Sequence, residues 1–178
     1  MLHSLPLVLF VLSILFPTQL FAQTRKPMTI SELVTYTGND REQVLYAGAK
    51  GEGKLTWYTS LAGDSYKAMI KAFEAKYAGV KVEAYRTNGS EITQRMVEEA
   101  KAKRQIVDTI ETTEPNLMFQ RSAFLLRPYH SPHLAAYPKD AKQAAERGLY
   151  FWATARESYI GFAYNRNLMP KEAIPKNY

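Results

Sequence analysis

Cysteine is absent from the 178 residues. That excludes a disulfide framework, a thiolate metal site and lipid attachment through cysteine. The fold must be held by its apolar core. A stripe of one charge sign is missing as well. Lys and Arg number 23 against 17 Asp and Glu, a net charge of +6, but the cations are scattered among acids, which argues against a nucleic-acid partner. The one local cluster, Lys101, Lys103 and Arg104, closes a helical run, where cations complement the terminal carbonyls. Basic residues are also lacking ahead of the apolar run at the N-terminus. Residues 2–16 are apolar apart from His3, Ser4, Pro6 and Ser13, and Leu20-Phe21-Ala22 follows Pro17. This has the form of a secretory signal, residues 1–22, cleaved after Ala22. The alternative is an uncleaved membrane anchor, because residues 2–22 nearly span a bilayer if Pro6, Pro17 and Gln19 are tolerated. Since residues 1–22 hold no Lys, Arg, Asp or Glu, cleavage leaves the charge unchanged.

What remains is enough chain for one ordinary domain core. Residues 23–53 form a leader and helices: a run near 30–34 capped by Ser31, then a helix from Asn39 or Asp40 through Val44, Leu45 and Ala49 to Gly51-Glu52-Gly53. Gly48-x-x-x-x-Gly53-Lys54 is close to a phosphate-binding loop, but Leu55 stands where a magnesium-holding Ser or Thr is needed. Such a loop must also follow a strand and open a helix, whereas this one does the reverse. It is a helix stop.

Short apolar runs then alternate with helical periodicity. Strands are expected at 55–59, 80–85 and 106–112. Between them lie a helix from Asp64 carrying Tyr66, Met69, Ile70, Phe73 and Tyr77, and one with Ile92, Met96, Val97 and Ala100 on its inner face. Pro115 suits the first turn of a further helix. The order β-α-β-α-β-α predicts an α/β fold with parallel strands and right-handed crossovers, the second strand lying beside the first or at an edge. Leu55, Trp57, Val82, Ile110, Met69, Ile70, Phe73 and Met96 are its expected core. Beyond Leu125 come a Pro-rich loop with His130 and His133, a short polar helix at 139–147, β-rich runs at 150–155 and 159–164, and a Pro-marked tail at 168–178 with few core contacts.

Each apolar run ends in a polar turn that opens a helix: 60–65, 87–90 and 113–116. In open parallel sheets, ligands bind beyond the carboxyl ends of the strands. The candidate ligand-binding residues are therefore Ser60, Leu61, Thr87, Asn88, Gly89, Ser90, Thr112, Thr113 and Glu114, with Arg156 adding a cation. Hydroxyls, amides and the N–H groups at Leu61, Ser90 and Glu114, facing one groove, suit an anion or a carboxylate-bearing molecule. The plainer reading is that Ser90 and Thr113 only cap their own helices. Catalysis finds no motif: His-Glu-x-x-His is absent, and Asn88-Gly89-Ser90-Glu91 lacks the framing glycines of a nucleophile elbow. His130 and His133 are separated by Pro132, which opposes a shared metal on a helix, and no third ligand is placed by sequence.

Residues 53–165 resemble the N-terminal part of bacterial extracellular solute-binding proteins of the iron(III)-type branch, the periplasmic components of ABC importers. The resemblance is carried by Lys54-Leu55-Thr56-Trp57-Tyr58-Thr59-Ser60, by the run from Ala72 to Val82, by Gly89-Ser90, by Val107-Asp108-Thr109 and by Ile160-Gly161-Phe162-Ala163-Tyr164-Asn165, in that order. It implies two α/β lobes joined by crossing strands with the ligand between them. In this chain it implies a first lobe at 54–149, a hinge at 150–167 with 159–164 as a crossing strand, and the start of a second lobe at 168–178, so that the chain corresponds to part of the longer proteins. It further implies a periplasmic monomer that is not an enzyme, carries no cofactor, captures a small solute or ion and delivers it to an ABC importer permease. The alternatives are a secreted interaction module or sensor lobe without a transport role, and, with less to recommend it, a secreted hydrolase. Iron-binding members carry a histidine just after the first strand, where this chain has Ser60-Leu61-Ala62-Gly63, and a pair of tyrosines in the second lobe. Glu114 is the acidic ligand that could survive.

Overall fold

The computed structural model describes residues 28–157, 161, 163–165 and 167–174. The expected signal segment 1–22 lies outside the described residues, as does half of the expected crossing strand 159–164, residues 159, 160 and 162. Helix α1, Ile30–Thr35, opens on a capping box. The Thr29 hydroxyl accepts the Glu32 N–H at 3.3 Å, and the Glu32 carboxylate accepts the Thr29 N–H at 2.6 Å. Thr29 therefore holds the place expected for Ser31, because only Thr29 has a glutamate three residues on. Helix α2, Arg41–Glu52, stops at Gly53, whose φ of 77° lies in the left-handed region that favours glycine.

Strand β1, Lys54–Thr59, follows at once. It pairs in parallel with β2, Lys81–Arg86, on one side and with β3, Thr109–Glu111, on the other, so the sheet order is β2-β1-β3. Helices α3, Ser65–Lys76, and α4, Gly89–Lys101, connect the strands, and α5, Glu114–Ser122, leaves the third. The expected parallel α/β unit is present, with the second strand at an edge and beside the first. β3 is shorter than the expected 106–112. The Asp108 carboxylate accepts the Thr56 N–H at 2.7 Å while the Asp108 N–H donates to the Thr56 carbonyl at 3.0 Å. A side chain thus supplies an acceptor that a longer ladder would have taken from the backbone.

Burial concentrates on β1, where Thr56, Trp57, Tyr58 and Thr59 are all buried. A central parallel strand is covered on both faces, so no alternation of burial is seen. Tyr58, Ile92 and Met96 form the core cluster, with Tyr85, Val107, Ile110, Leu125 and Leu126 packed around it. Of the remaining expected core residues, Trp57 is buried and Leu55, Ile70, Phe73, Val82 and Ile110 are half-buried. Met69 is 51% exposed. The inward stripe of α3 is narrow, with Tyr66, Ile70, Phe73 and Tyr77 half-buried, and Met69 sits about 100° around the helix from Ile70.

The polar helix expected at 139–147 is not there. Residues Lys142–Ala144 form β4, antiparallel to β5, Tyr150–Ala153, and a 3-10 turn at Glu146–Gly148 joins them. A short polar helix has too little apolar face to repay its nucleation, whereas a strand gains a ladder from its neighbour. Lys142 and Arg121 lie over the Tyr150 and Phe151 rings, at 5.2 and 4.6 Å from the centroids. Among the described residues of the tail, Leu168 is 83% exposed and Lys171–Ala173 is a 3-10 turn.

Candidate functional site

The parallel register brings Thr59, Arg86 and Glu111 level at the carboxyl edge of the sheet, and the polar turns begin one residue later. Glu111, 15% exposed at its side chain, is the hub of this rim. Its Oε2 accepts from the Thr59 hydroxyl at 2.8 Å, the Ser60 N–H at 3.0 Å and the Ser60 hydroxyl at 3.3 Å. Its Oε1 faces the Arg156 Nε at 3.5 Å. The expected site cation Arg156 thus reaches the rim, where it meets a carboxylate. The Leu61 N–H, expected to face a groove, donates instead to the Thr59 hydroxyl at 3.1 Å, and Leu61 is buried. Its carbonyl accepts from the Arg86 Nε at 3.0 Å.

On the β2 side, the Thr87 N–H donates to the Thr59 carbonyl at 3.1 Å. Asn88 is the N-cap of α4, its side chain accepting the Glu91 N–H at 3.0 Å. Ser90 therefore lies inside the first turn, exposed, and is not the cap. The Thr87 hydroxyl donates to the Glu91 carboxylate. That bond, and after it one from Asn88, holds Glu91 below the usual carboxylate range.

On the β3 side, Thr113 occupies the N-cap position of α5 without capping it, and its hydroxyl accepts from the Asn116 amide at 2.9 Å. Glu114 is exposed in the first turn. The Thr112 hydroxyl is buried and has no hydrogen-bond partner. Gly89 packs directly against Thr112 and Asn116. The three turns are thereby linked: Ser60 through Glu111, Thr87 through Thr59, and Gly89 through Thr112 and Asn116. Glu111 went unread in the sequence, although an acid closing the third strand was its signal.

Two other features lie away from the rim. Tyr58 donates to the Glu99 Oε1 at 2.6 Å, and Arg95 pairs with the same oxygen at 3.0 Å while stacking over the Tyr58 and Tyr85 rings at 4.9 and 4.3 Å. Burial, followed by the Glu99 hydrogen bond, pushes the Tyr58 hydroxyl up to about 12. A cavity of about 360 Å³ flanks β3, walled by Val107, Ile110, Leu117, Leu126, Phe151 and Trp152. None of the ten expected site residues lines it, and its carboxylates Glu99 and Asp108 are engaged by Tyr58, Arg95 and Thr56. Gln105, Thr109, Arg127 and Tyr129 also line it, so its walls are mixed in polarity. The His130 N–H donates to the Val34 carbonyl at 3.1 Å, and among the described residues no cluster of three His, Asp or Glu side chains could hold a metal.

No family model matches the chain, and no curated protein matches it. Among solved structures it is similar to iron-bound HitA from Pseudomonas aeruginosa, with 23% identity and a TM-score of 0.49 over 69% of this chain and 38% of that one. It is also similar to FutA (IdiA) from Trichodesmium, in complex with iron and citrate ligands. There the identity is 23% and the TM-score 0.44, over 56% of this chain and 30% of that one. The chain spans well under half the length of either.

Proposed function

We propose that this chain is one lobe of a periplasmic solute-capture protein that delivers a small ligand to an ABC importer, acting by binding and release rather than catalysis. The observation that carries the reading is the carboxyl edge of a parallel three-stranded sheet, where three polar turns are joined through Glu111, Thr59 and Asn116. Ligands of open α/β sheets bind at such edges. The sequence resemblance at 53–165 supports the same reading, and it implies a second lobe as the opposite wall of the site. Binding between lobes couples affinity to closure, and the closed form is what a permease can distinguish.

For the ligand, the reading favours a small carboxylate-bearing anion, alone or as a complex of iron(III). Glu111 is already engaged by two hydroxyls, an N–H and Arg156, so its charge is largely compensated. The helices α4 and α5 begin at the polar turns, with Ser90 and Glu114 in their own first turns, so their positive dipole ends lie there. The test is calorimetric titration of the exported chain with citrate, ferric citrate and inorganic phosphate. Heat of binding with at least one probe is expected, weakened about tenfold or more in Ser90→Ala with the melting temperature nearly unchanged. Absence of heat with all three probes, or an affinity untouched by both Ser90→Ala and Glu111→Gln, would remove the rim from consideration.

A further inference from the structure

We infer that Gly89 is the positioning residue of this rim: its missing side chain is what lets the first turn of α4 close onto the turn between β3 and α5. The inference rests on the capture reading for its consequence to binding, and on geometry alone for the seam itself. Gly89 does not have a positive φ, unlike Gly53, Gly63, Gly79 and Gly148, so its backbone would accept any residue. The space would not. A Cβ at Gly89 would fall well inside contact distance of the Thr112 hydroxyl and the Asn116 amide nitrogen, and 3.1 Å from the Asn116 Cγ. By contrast, a Cβ at Gly48 or Gly51 in α2 meets nothing within 4 Å.

Asn116 cannot yield without loss. The Asn116 amide donates to the Thr113 hydroxyl at 2.9 Å, and its oxygen accepts from the Thr93 hydroxyl at 3.3 Å, so it stitches α5 to α4. The single Thr93 proton is shared with the Gly89 carbonyl, the nearer acceptor at 2.9 Å, and the same hydroxyl accepts from the fully buried Gln120 at 2.8 Å. The Thr112 hydroxyl is already enclosed. Added bulk at Gly89 is therefore relieved by tilting the first turn of α4 outward, which carries Asn88 and Ser90 away from Ser60 and Thr113. Gly89 in this way sets the width of the rim and the size of solute it admits.

The experiment compares Gly89→Ala, the pair Thr112→Ala with Asn116→Ala, the triple variant, and Gly48→Ala as a control in the full chain. Gly89→Ala is expected to lower the melting temperature by on the order of 5 °C and to shift the amide resonances of Ser90 and Glu91. Gly48→Ala should do neither. Clearing the space at positions 112 and 116 should suppress the effect, so that adding Gly89→Ala to the pair lowers the melting temperature much less than in the parent chain. If Gly89→Ala alone fails to fold, folding of the triple variant supports the seam, and failure of the triple where the pair folds overturns it. Additive losses with unmoved Ser90 and Glu91 resonances overturn it as well. Citrate titration separates the two readings: a parent chain without binding heat for any probe sinks solute capture, while the suppression still decides the seam.

Discussion

Tyr58 lies at the centre of the molecule and has two kinds of neighbour. Its ring packs in the core and against Tyr85, with centroids 5.2 Å apart, and its hydroxyl donates to Glu99. Burial and the nearby carboxylate favour the neutral phenol, lifting it from 10.0 to about 12. A raised folded value means stability that is complete below pH 10 and is lost as pH climbs from 10 toward 12. Tyr58→Phe is expected to lose about 1 kcal/mol at pH 7 through the missing hydrogen bond, and to show a shallower alkaline decline. Urea unfolding at a series of pH values between 7 and 11.5 measures both, and an alkaline limb as steep in the variant as in the parent chain would contradict the assignment. Residues of this kind were only half legible. The apolar run 55–59 marked a buried strand, but with both faces covered no alternation singled out Tyr58 over Trp57. Glu111 was half legible for another reason: the sequence shows an acid closing the third strand, but its partners Thr59 and Ser60 stand 52 and 51 residues away, and no local pattern tells what that acid contacts.

Elements with a strong period were legible as elements. The stretch from α2 to α4 follows from helical spacing, glycine stops and short apolar strands, and the glycine at position 53 marks its helix end through its backbone angle. The β4–β5 pair was not legible, since a strand of three residues has no period to detect and its stabilisation comes from the neighbour. The first helix depends on a partner in the same way. Arg41 donates to the carbonyls of Leu33 at 2.7 Å, Tyr36 at 2.9 Å and His130 at 2.7 Å. It thus satisfies the open end of α1 and ties it to the loop beyond α5. Arg41→Met keeps the stem and removes these donors, and is expected to destabilise the chain by about 1–3 kcal/mol. Limited proteolysis should then cut first between residues 28 and 40; a cleavage pattern identical to that of the parent chain would show that α1 is held by something else.

At the scale of the whole molecule, the parallel sheet and the gathering of polar turns at one edge follow from the order of elements, because strands joined by helices all end on the same side. The identity of the groups that meet there does not follow, since it depends on register and packing between turns distant in sequence. One further consequence of the strand order concerns how the chain assembles. β1 pairs with β2 at about half the sequence separation at which it pairs with β3. Halving a loop lowers its closure free energy by about 0.6 kcal/mol, and the full six-residue ladder with β2 returns more than the three-residue ladder with β3. The β1-α3-β2 unit should therefore form first and serve as the template onto which β3 is added. Pulse labelling of amide hydrogens during refolding is expected to find Glu83 and Tyr85, on the side of β2 that donates to β1, protected before Ile110. Simultaneous protection of all three would mean that the sheet closes in one step, with the rim completed at the moment of folding rather than after it.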